Sequence, residues 1–324
     1  MAAAMATIAL LAAASLVTGA HDIALSTAWQ AVFAFDPASS DHLLVRHLRL
    51  PRTLLAMVTG CALGTAGVLM QGLTRNPLAD PGLMGVNAGA AAAIAAAIAV
   101  FDVTSIATQT AFGFAGAALG GAAVCLCGGM RAGFDPLRML LAGAALSAVL
   151  LAATQIITIN SDNTVFDQFR HWAAGSLQGR GYAVLGPVAV ATTAGLALAH
   201  AMARGLDAAV LGPEVGTTLG VRPALLWLGC ATAIVLLAGA ATAAAGPIAF
   251  LGLAAPHLAR YAGAAGHRRT LHLSMLLAAL LALAADTLGR AIARPDEIAL
   301  GILSALAGGP VFVALARRRR LGAP

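Results

Sequence analysis

Two ionisable residues, Asp286 and Arg290, stand inside an apolar stretch in the carboxyl-terminal part of the chain. Charged groups in apolar segments are costly, and they mark either a functional site or an ion pair. Because the two residues are four positions apart, they share one face of a helix and can pair. We therefore predict a structural ion pair near a helix end rather than a proton relay.

Two uncharged polar residues, Ser147 and Gln155, lie together in another apolar stretch. Side chains of this kind could line a translocation path for a polar solute. An ordinary hydrogen bond between helices explains them equally well, since polar groups in lipid bond to any partner within reach. Both interpretations stay open at this point.

The sequence offers no arrangement typical of catalysis or metal binding. All nineteen basic residues are arginine, so this chain lacks the lysine of a phosphate-binding loop. The eight histidines never stand three or four positions apart, and the four cysteines lie in apolar runs without the spacing of a metal site. We expect no catalytic residue, no metal ligand and no resident cofactor in this chain.

The composition indicates a membrane protein. Of the residues, 60% are hydrophobic and 10% are charged, whereas a soluble globular domain carries about 25% charged residues. The arginines are spread over loops, so the net charge of +6 does not indicate a nucleic-acid partner. We predict an all-α integral membrane protein with a single transmembrane domain over residues 1–324. Ten spans are expected, at 3–20, 51–72, 82–101, 107–128, 137–157, 182–203, 224–245, 247–261, 270–290 and 298–316.

The distribution of arginine predicts the orientation. An even number of spans puts both termini on one side, and the four arginines at 317–320 mark that side as cytoplasmic by the positive-inside rule. Twelve arginines then lie inside and seven outside. The outer ones are Arg46, Arg49, Arg52, Arg170, Arg180, Arg290 and Arg294.

The charged stretch RNPLADPGLMG, residues 75–85, separates two apolar runs. Pro77 and Pro81 each end a helix, because proline lacks the backbone N–H and disfavours helical geometry in the residue before it. We predict a forced cytoplasmic turn between two spans.

Small residues four positions apart recur in the apolar runs. Such spacing lets helices approach closely in lipid. We expect most of these pairs to pack helices within one subunit, and association between subunits stays open for a few. The pairs are Gly60 and Gly64, Gly85 and Gly89, and Gly116 and Gly120.

The inside loop 204–223 is predicted to hold two short helices around a glycine. Leu206, Val210 and Leu211 would form one apolar face, which ends at Gly212.

The second helix of this loop has its own start and stop signals. Pro213 and Glu214 suit a first helical turn, where proline needs no N–H partner and an acidic residue meets the positive end of the helix dipole. Gly220 supplies a carboxyl-terminal cap. Because a simple connector rarely specifies two capped helices, we predict that the loop docks on a cytoplasmic partner.

Several long stretches resemble one family along nearly the whole chain. The run RLPRTLLAMVTGCALGTAGVLMQGLTRNPLADPGLMGVNAGA is similar to the signature of the BtuC/FecCD-like permeases, the membrane subunits of type II ATP-binding-cassette (ABC) importers. GPIAFLGLAAPHLAR at 246–260 resembles the second family motif, and WAAGSLQGR, LGPEVGTTLGV and ADTLGR follow the family's order and spacing. The resemblance implies ten helices per subunit and a dimer of permease subunits.

The resemblance also implies roles at the cytoplasmic side. Asn76, Pro77 and Leu78 would form part of a gate, and the loop 133–138 before the fifth span would form the other part. A separate dimer of ABC ATPase subunits would be contacted by Leu206, Leu211, Gly212, Glu214, Leu219, Gly220, His257 and Arg260.

On the outside, the resemblance implies that Arg49, Arg52 and Arg290 meet acidic residues of a periplasmic binding protein. One departure concerns the coupling loop. The family has an acidic residue directly after the Leu-Gly pair, whereas here Pro213 stands there and Glu214 follows. The identity of the acidic contact therefore stays undecided.

We predict a permease subunit, not an enzyme, in the bacterial inner membrane, which imports a ferric siderophore or ferric citrate while ATP and Mg²⁺ are held by the partner ATPase. Haem or vitamin B12 is the alternative cargo within the family. A gradient-driven secondary transporter is the alternative from another class, which inverted repeats or a second membrane acid would support. Whether the second permease subunit is identical or a paralogue stays open.

Overall fold

A computed structural model describes residues 2–128 and 136–320 of the chain. Within these ranges the regular secondary structure is helical, as predicted. Residues 133–135 of the predicted gate loop lie outside the described ranges. In chain order, α1 to α14 are Ala2–Val17, Leu25–Phe33, Ser40–Leu44, Leu50–Thr74, Val86–Ala99, Ile106–Cys127, Pro136–Ile159, Asn163–Ala173, Tyr182–Val210, Pro213–Thr218, Pro223–Ala245, Leu251–Tyr261, Gly266–Ile292 and Leu300–Arg320. A π-helical turn, Val45–Arg49, joins α3 to α4, and a 3₁₀ turn, Pro81–Met84, precedes α5.

Each of the ten predicted spans coincides with a helix, and among the described residues six helices are long and apolar enough to cross a membrane. These are Ser40–Thr74, Ile106–Cys127, Leu137–Ile159, Tyr182–Val210, Pro223–Ala245 and Gly266–Ile292. Shorter apolar helices are Ala2–Val17, Val86–Ala99 and Leu300–Pro310.

The eighth predicted span, 247–261, is helical only from Leu251 onward. The structure leaves residues 247–250 non-helical, and α12 has only 11 residues, which is about 16 Å of helix. The hydrocarbon layer is about 30 Å thick, so α12 cannot cross it alone.

The bundle has two ends, named here after one arginine at each. The Arg75 end contains the 75–85 turn, the end of α9, α10 and the start of α13; Arg75 Nη2 donates to the Ala209 carbonyl at 2.5 Å. The Arg290 end contains the ends of α1 and α13, α8 and the start of α9; Arg290 Nη1 donates to the Ser15 carbonyl at 2.9 Å.

The helix α4 runs through the centre of the bundle. Within Ser40–Thr74, 78% of the most apolar stretch is buried, against 11% for Leu137–Ile159. Glycines allow this central position. A Cβ on Gly60 would lie 2.5 Å from the Ala278 carbonyl oxygen of α13, and a Cβ on Gly67 would overlap the Gly252 carbonyl oxygen of α12.

A second close approach joins α5 to α6. A Cβ on Gly89 would overlap the carbonyl oxygen of Gly116, and a Cβ on Gly120 would lie 2.6 Å from the Gly85 carbonyl oxygen. Backbone therefore meets backbone without intervening side chains. The predicted small-residue pairs pack helices within one subunit, as expected for most of them.

Replacing Gly67 by alanine should loosen the contact of α4 with α12, because the added methyl must displace backbone rather than a flexible side chain. We expect Gly67→Ala to lower the stability of the purified protein by about 1–3 kcal/mol, measured by thermal denaturation in detergent. Gly186→Ala is the matched control, since a Cβ at Gly186 of α9 meets nothing within 4 Å. Equal melting temperatures for the two variants would contradict the packing account.

Candidate functional site

Two arginines and two carboxylates form an ion network at the Arg290 end. Asp286 is 1% exposed, and its Oδ1 accepts hydrogen bonds from Arg52 Nε at 3.0 Å and Nη2 at 2.9 Å. Its Oδ2 lies 3.0 Å from Arg290 Nη2. Glu297 Oε2 accepts from Arg52 Nη1 at 2.7 Å. The predicted pair of Asp286 and Arg290 is confirmed, and Arg52 is an additional partner that the sequence did not indicate.

The carboxyl end of α1 is held by two arginines. The last four carbonyls of a helix have no partner within it. Arg290 Nη1 donates to the Thr18 carbonyl at 2.8 Å, and Arg49 Nη1 donates to the carbonyls of Leu16 and Val17 at 2.8 and 2.6 Å. Cations at this position also meet the negative end of the helix dipole. These contacts tie α1 to α13 and to the start of α4.

The three arginines expected to dock a binding protein are therefore held within the chain, and their contact with a binding protein stays a prediction. Arg49 is 6% exposed, Arg290 is 3% exposed, and the side chain of Arg52 is 12% exposed. Asp286, Glu297 and carbonyls at the end of α1 accept hydrogen bonds from these arginines, whereas Arg290 Nε is buried without an acceptor. The exposed arginines at this end are Arg46, Arg170 and Arg294.

The first half of the 75–85 turn is closed by local hydrogen bonds. Arg75 caps α4 in the left-handed conformation with φ 51°. Asn76 Oδ1 accepts from the N–H of Leu78 at 3.0 Å. The Leu78 side chain is 39% exposed, and Arg75 joins the turn to the last turn of α9.

The second half of the turn contains the 3₁₀ segment. Asp80 caps this segment, because its Oδ1 accepts from the N–H of Gly82 at 2.8 Å. Burial raises the pKa of the Asp80 carboxyl, and the hydrogen bond from Gly82 opposes that rise. Pro77 is half-buried and Pro81 is buried. The predicted turn is confirmed, and the role of Asn76, Pro77 and Leu78 as a gate stays a prediction.

The helix α10 lies between two glycines in conformations that other residues rarely adopt. Gly212, with φ +108°, precedes it, and Gly220, with φ +83°, follows it. The N–H of Val221 donates to the Gly216 carbonyl and that of Gly220 to the Thr217 carbonyl, both at 3.0 Å. This is a Schellman cap, which confirms the predicted role of Gly220 as a helix stop.

An apolar stripe on α10 and its flanks is open to the surroundings. Leu211, Val215 and Leu219 are four positions apart and are 61%, 45% and 61% exposed. We call these three residues the α10 stripe. Glu214 is also exposed, in the first turn of α10.

Leu206 does not belong to this exposed surface. It is 2% exposed, because α9 continues unbroken to Val210 and carries Leu206 into the core. The predicted apolar face of Leu206, Val210 and Leu211 is therefore wrong for Leu206, and the first of the two predicted short helices is the end of α9.

His257 and Arg260 both lie on α12, three positions apart along the helix. The Nδ1 of His257 lies 2.9 Å from the Leu253 carbonyl, which requires that nitrogen to be the donor. Arg260 Nη2 donates to Gln71 Oε1 at 2.7 Å. A cavity of about 600 Å³ at the Arg75 end is lined by Gln71, Arg75 and Arg260 among others. Arg260 thus shares a cavity with Arg75 and Pro77 of the 75–85 turn, and the contact of His257 and Arg260 with an ATPase stays a prediction.

Ser147 and Gln155 lie on α7, the span that the rest of the described chain covers least. Ser147 is half-buried and Gln155 is exposed. Only 11% of the apolar stretch of Leu137–Ile159 is buried. This open helix can face lipid, another subunit or a path, and the two interpretations of these residues stay open.

A histidine pair inside the bundle was not visible from spacing. His200 of α9 and His272 of α13 place their Nε2 atoms 3.1 Å apart. The Nδ1 of His200 lies 2.8 Å from the Leu196 carbonyl, so Nε2 of neutral His200 accepts from Nε2–H of His272. The residues are 72 positions apart, and only the packing of α9 beside α13 brings them together.

Comparisons with known proteins agree with this architecture. The FecCD transport family matches residues 7–318. The ferric enterobactin transport system permease protein FepD of Escherichia coli (strain K12) is 44% identical over 312 residues, covering 96% of this chain and 92% of the relative. The hemin transport system permease protein HmuU of Yersinia pestis is 41% identical over 283 residues, covering 85% and 83%. A solved inward-facing structure of a metal-chelate type ABC transporter is 27% identical, with a TM-score of 0.83 and 97% of each chain covered.

Replacing Asp286 by asparagine should destabilise the Arg290 end, because it leaves the buried cations of Arg52 and Arg290 short of a carboxylate. Removing one partner of a buried ion pair costs about 3 kcal/mol or more. Thermal denaturation of the purified protein in detergent measures the loss. Asp167→Asn is the control, since Asp167 is 58% exposed and pairs with exposed Arg170 at 3.2 Å. A melting temperature as high for Asp286→Asn as for the control would refute the structural role of the network.

Proposed function

The chain belongs to the FecCD transport family, and from this membership we propose how it works within a complete transporter. It is a permease subunit of an ABC importer and a membrane protein, and we propose that it is not itself an enzyme. We propose that it passes a ferric siderophore from a periplasmic binding protein through the inner membrane, driven by a separate dimer of ATPase subunits.

The proposed contact with the ATPase is the α10 stripe. Its three side chains are exposed at the Arg75 end, beside a turn that is hydrogen-bonded to the end of α9. A capped helix that projects apolar side chains is suited to a groove in a partner. The chain contains no lysine, so a phosphate-binding loop must lie on that partner. Gly212 and Gly220 would set the angle at which α10 projects, and Glu214 would supply an acidic contact.

The proposed orientation puts the Arg75 end in the cytoplasm. The support is the arginine bias, twelve residues against seven, together with the positive-inside rule. Both termini are then cytoplasmic, and the Arg290 end faces the periplasm and the binding protein. Contact of Arg49, Arg52 and Arg290 with the binding protein stays part of this proposal, and it would require these buried side chains to exchange partners that they now have within the chain.

A second permease subunit, identical or paralogous, is proposed against the open side of the bundle. The sparse burial of α7 supports this side. Ser147 and Gln155 would then line the path between the subunits, and Asn76, Pro77 and Leu78 would narrow it at the cytoplasmic side. Because Leu78 is partly exposed on a closed turn, it can contact its counterpart across such a path.

The proposed cargo is a ferric siderophore, because the E. coli relative that matches over 96% of this chain is a permease for ferric enterobactin. Haem is the competing cargo, since the Yersinia pestis relative is a permease for hemin.

The uptake of iron by proteoliposomes tests the function. With its cognate ATPase subunit and binding protein, the permease should import radiolabelled iron as a ferric catecholate siderophore, and only when ATP is present on the ATPase side. Uptake should stop when the binding protein or the ATPase is omitted. Import of haem but no siderophore would overturn the cargo, and import driven by a proton gradient without ATPase would overturn the importer mechanism.

The α10 stripe should be needed for the partner rather than for the fold. Leu211→Asp and Leu219→Asp place charges on exposed positions, so we expect normal yield and melting temperature but at least about tenfold weaker association with the ATPase subunit. Co-purification and titration in detergent measure the association. Leu211→Met, which keeps size and polarity, is the control. If both aspartate variants bind the ATPase normally, the docking site lies elsewhere.

A further inference from the structure

Arg180 is a buried arginine without a partner for its charge among the described residues. It lies in the loop between α8 and α9 and is 8% exposed. Its backbone N–H donates to the Leu177 carbonyl, but its guanidinium makes neither a hydrogen bond nor an ion pair with the described part of the chain, and Nε is buried without an acceptor. The other buried arginines of this end, Arg49, Arg52 and Arg290, all bind oxygens.

Arg180 lines two neighbouring cavities at the Arg290 end. The first has a volume of about 370 Å³ and contains Gln109, Gln168, His171, Trp172 and Gln178 in its wall. Gln168, His171 and Gln178 are exposed at its mouth, whereas Gln109 and Trp172 are buried in its floor with Arg180. No aspartate or glutamate is among the described residues of this wall.

The second cavity has a volume of about 320 Å³ and extends from Arg180 toward Arg49, Arg52 and Arg290. Its single acid among the described lining residues is Glu297, which is held by Arg52 at 2.7 Å. The surroundings of Arg180 are therefore cationic, and clefts lined by one sign of charge attract ligands of the other.

The burial of the Arg180 guanidinium without a partner for its charge destabilises the fold. A buried charge without a partner loses its hydration and gains nothing in return. Burial lowers the pKa of Arg180 to about 10, so the guanidinium is still charged at neutral pH. A cation that is kept buried at a cost to stability is typical of a ligand site.

We infer that Arg180 binds anionic oxygens of the iron chelate as the chelate enters at the Arg290 end, with the amides at the mouth of the first cavity as additional donors. This inference rests on the proposed function. A guanidinium presents two parallel N–H groups, which match a carboxylate or a catecholate. A cavity of about 370 Å³ admits one arm of a chelate rather than the whole molecule, so the contact guides an incoming anion.

The substitution Arg180→Gln in the reconstituted transporter tests this role. We expect at least a tenfold fall in ATP-driven uptake of a ferric catecholate siderophore, because one charge-assisted hydrogen bond is lost. Arg180→Lys keeps the positive charge but lacks the two parallel N–H groups of the guanidinium, so we expect a smaller fall in uptake. Arg170→Gln is the matched control: Arg170 is on α8 at the same end, is 66% exposed, and pairs with Asp167, so its uptake should equal that of the wild type.

Two further measurements separate ligand binding from other roles. The melting temperature of Arg180→Gln should stay the same or rise, because an unpaired buried charge is removed; a fall in step with lost uptake would mean a structural role and would overturn the inference. The affinity of the binding protein for the transporter should not change. If this affinity falls together with uptake, Arg180 binds an acidic side chain of the binding protein rather than the chelate, and the inference is overturned.

Unchanged uptake by Arg180→Gln, beside an active wild type, would overturn the inference and leave the proposed function intact. A wild-type transporter that imports no siderophore with its ATPase and binding protein would overturn both.

Discussion

The carboxylate of Asp286 is the constraint on which the Arg290 end depends. It is almost fully buried and holds two guanidinium groups, one from α4 and one from its own helix. Because both guanidinium groups are largely buried, removing the carboxylate would leave their lost hydration uncompensated. Since Arg290 in turn binds the last carbonyls of α1, three helices meet at one acid. The loop carrying Glu297 joins them through Arg52.

The two ends of the molecule differ in how their polar groups are used. At the Arg290 end the buried Arg49, Arg52 and Arg290 bind oxygens of the chain, whereas the guanidinium of Arg180 makes no hydrogen bond or ion pair with the described residues. At the Arg75 end three exposed apolar side chains form the α10 stripe, on and beside a short helix between two glycines with positive φ. The central helix α4 connects the ends, with Arg52 at its start and Arg75 at its close.

Local patterns predicted much of this architecture. The ten apolar runs, the proline-bounded turn and the cap at Gly220 all depend on neighbours a few residues apart, and so does the pair of Asp286 with Arg290. The partners that the sequence missed are distant along the chain. Arg52 and Asp286 are 234 residues apart, and only the packing of α4 against α13 reveals that an arginine predicted to face solvent is buried.

The burial of Leu206 was missed for a different reason. Two short helices and one long helix followed by a short one share the same apolar periodicity, so the pattern does not decide where α9 ends. The roles of the gate, the path and the coupling residues depend on other chains, which a single sequence or fold does not contain.

The central claim is that the ATPase subunit binds at the Arg75 end, while the ion network fixes the Arg290 end. Hydrogen–deuterium exchange of the permease with and without its ATPase subunit tests this claim most directly. The account predicts that binding of the ATPase slows exchange at α10 and at residues 75–85, while the segment from Asp286 to Arg290 exchanges slowly in both samples. Unchanged exchange at α10 together with new protection at the Arg290 end would contradict it.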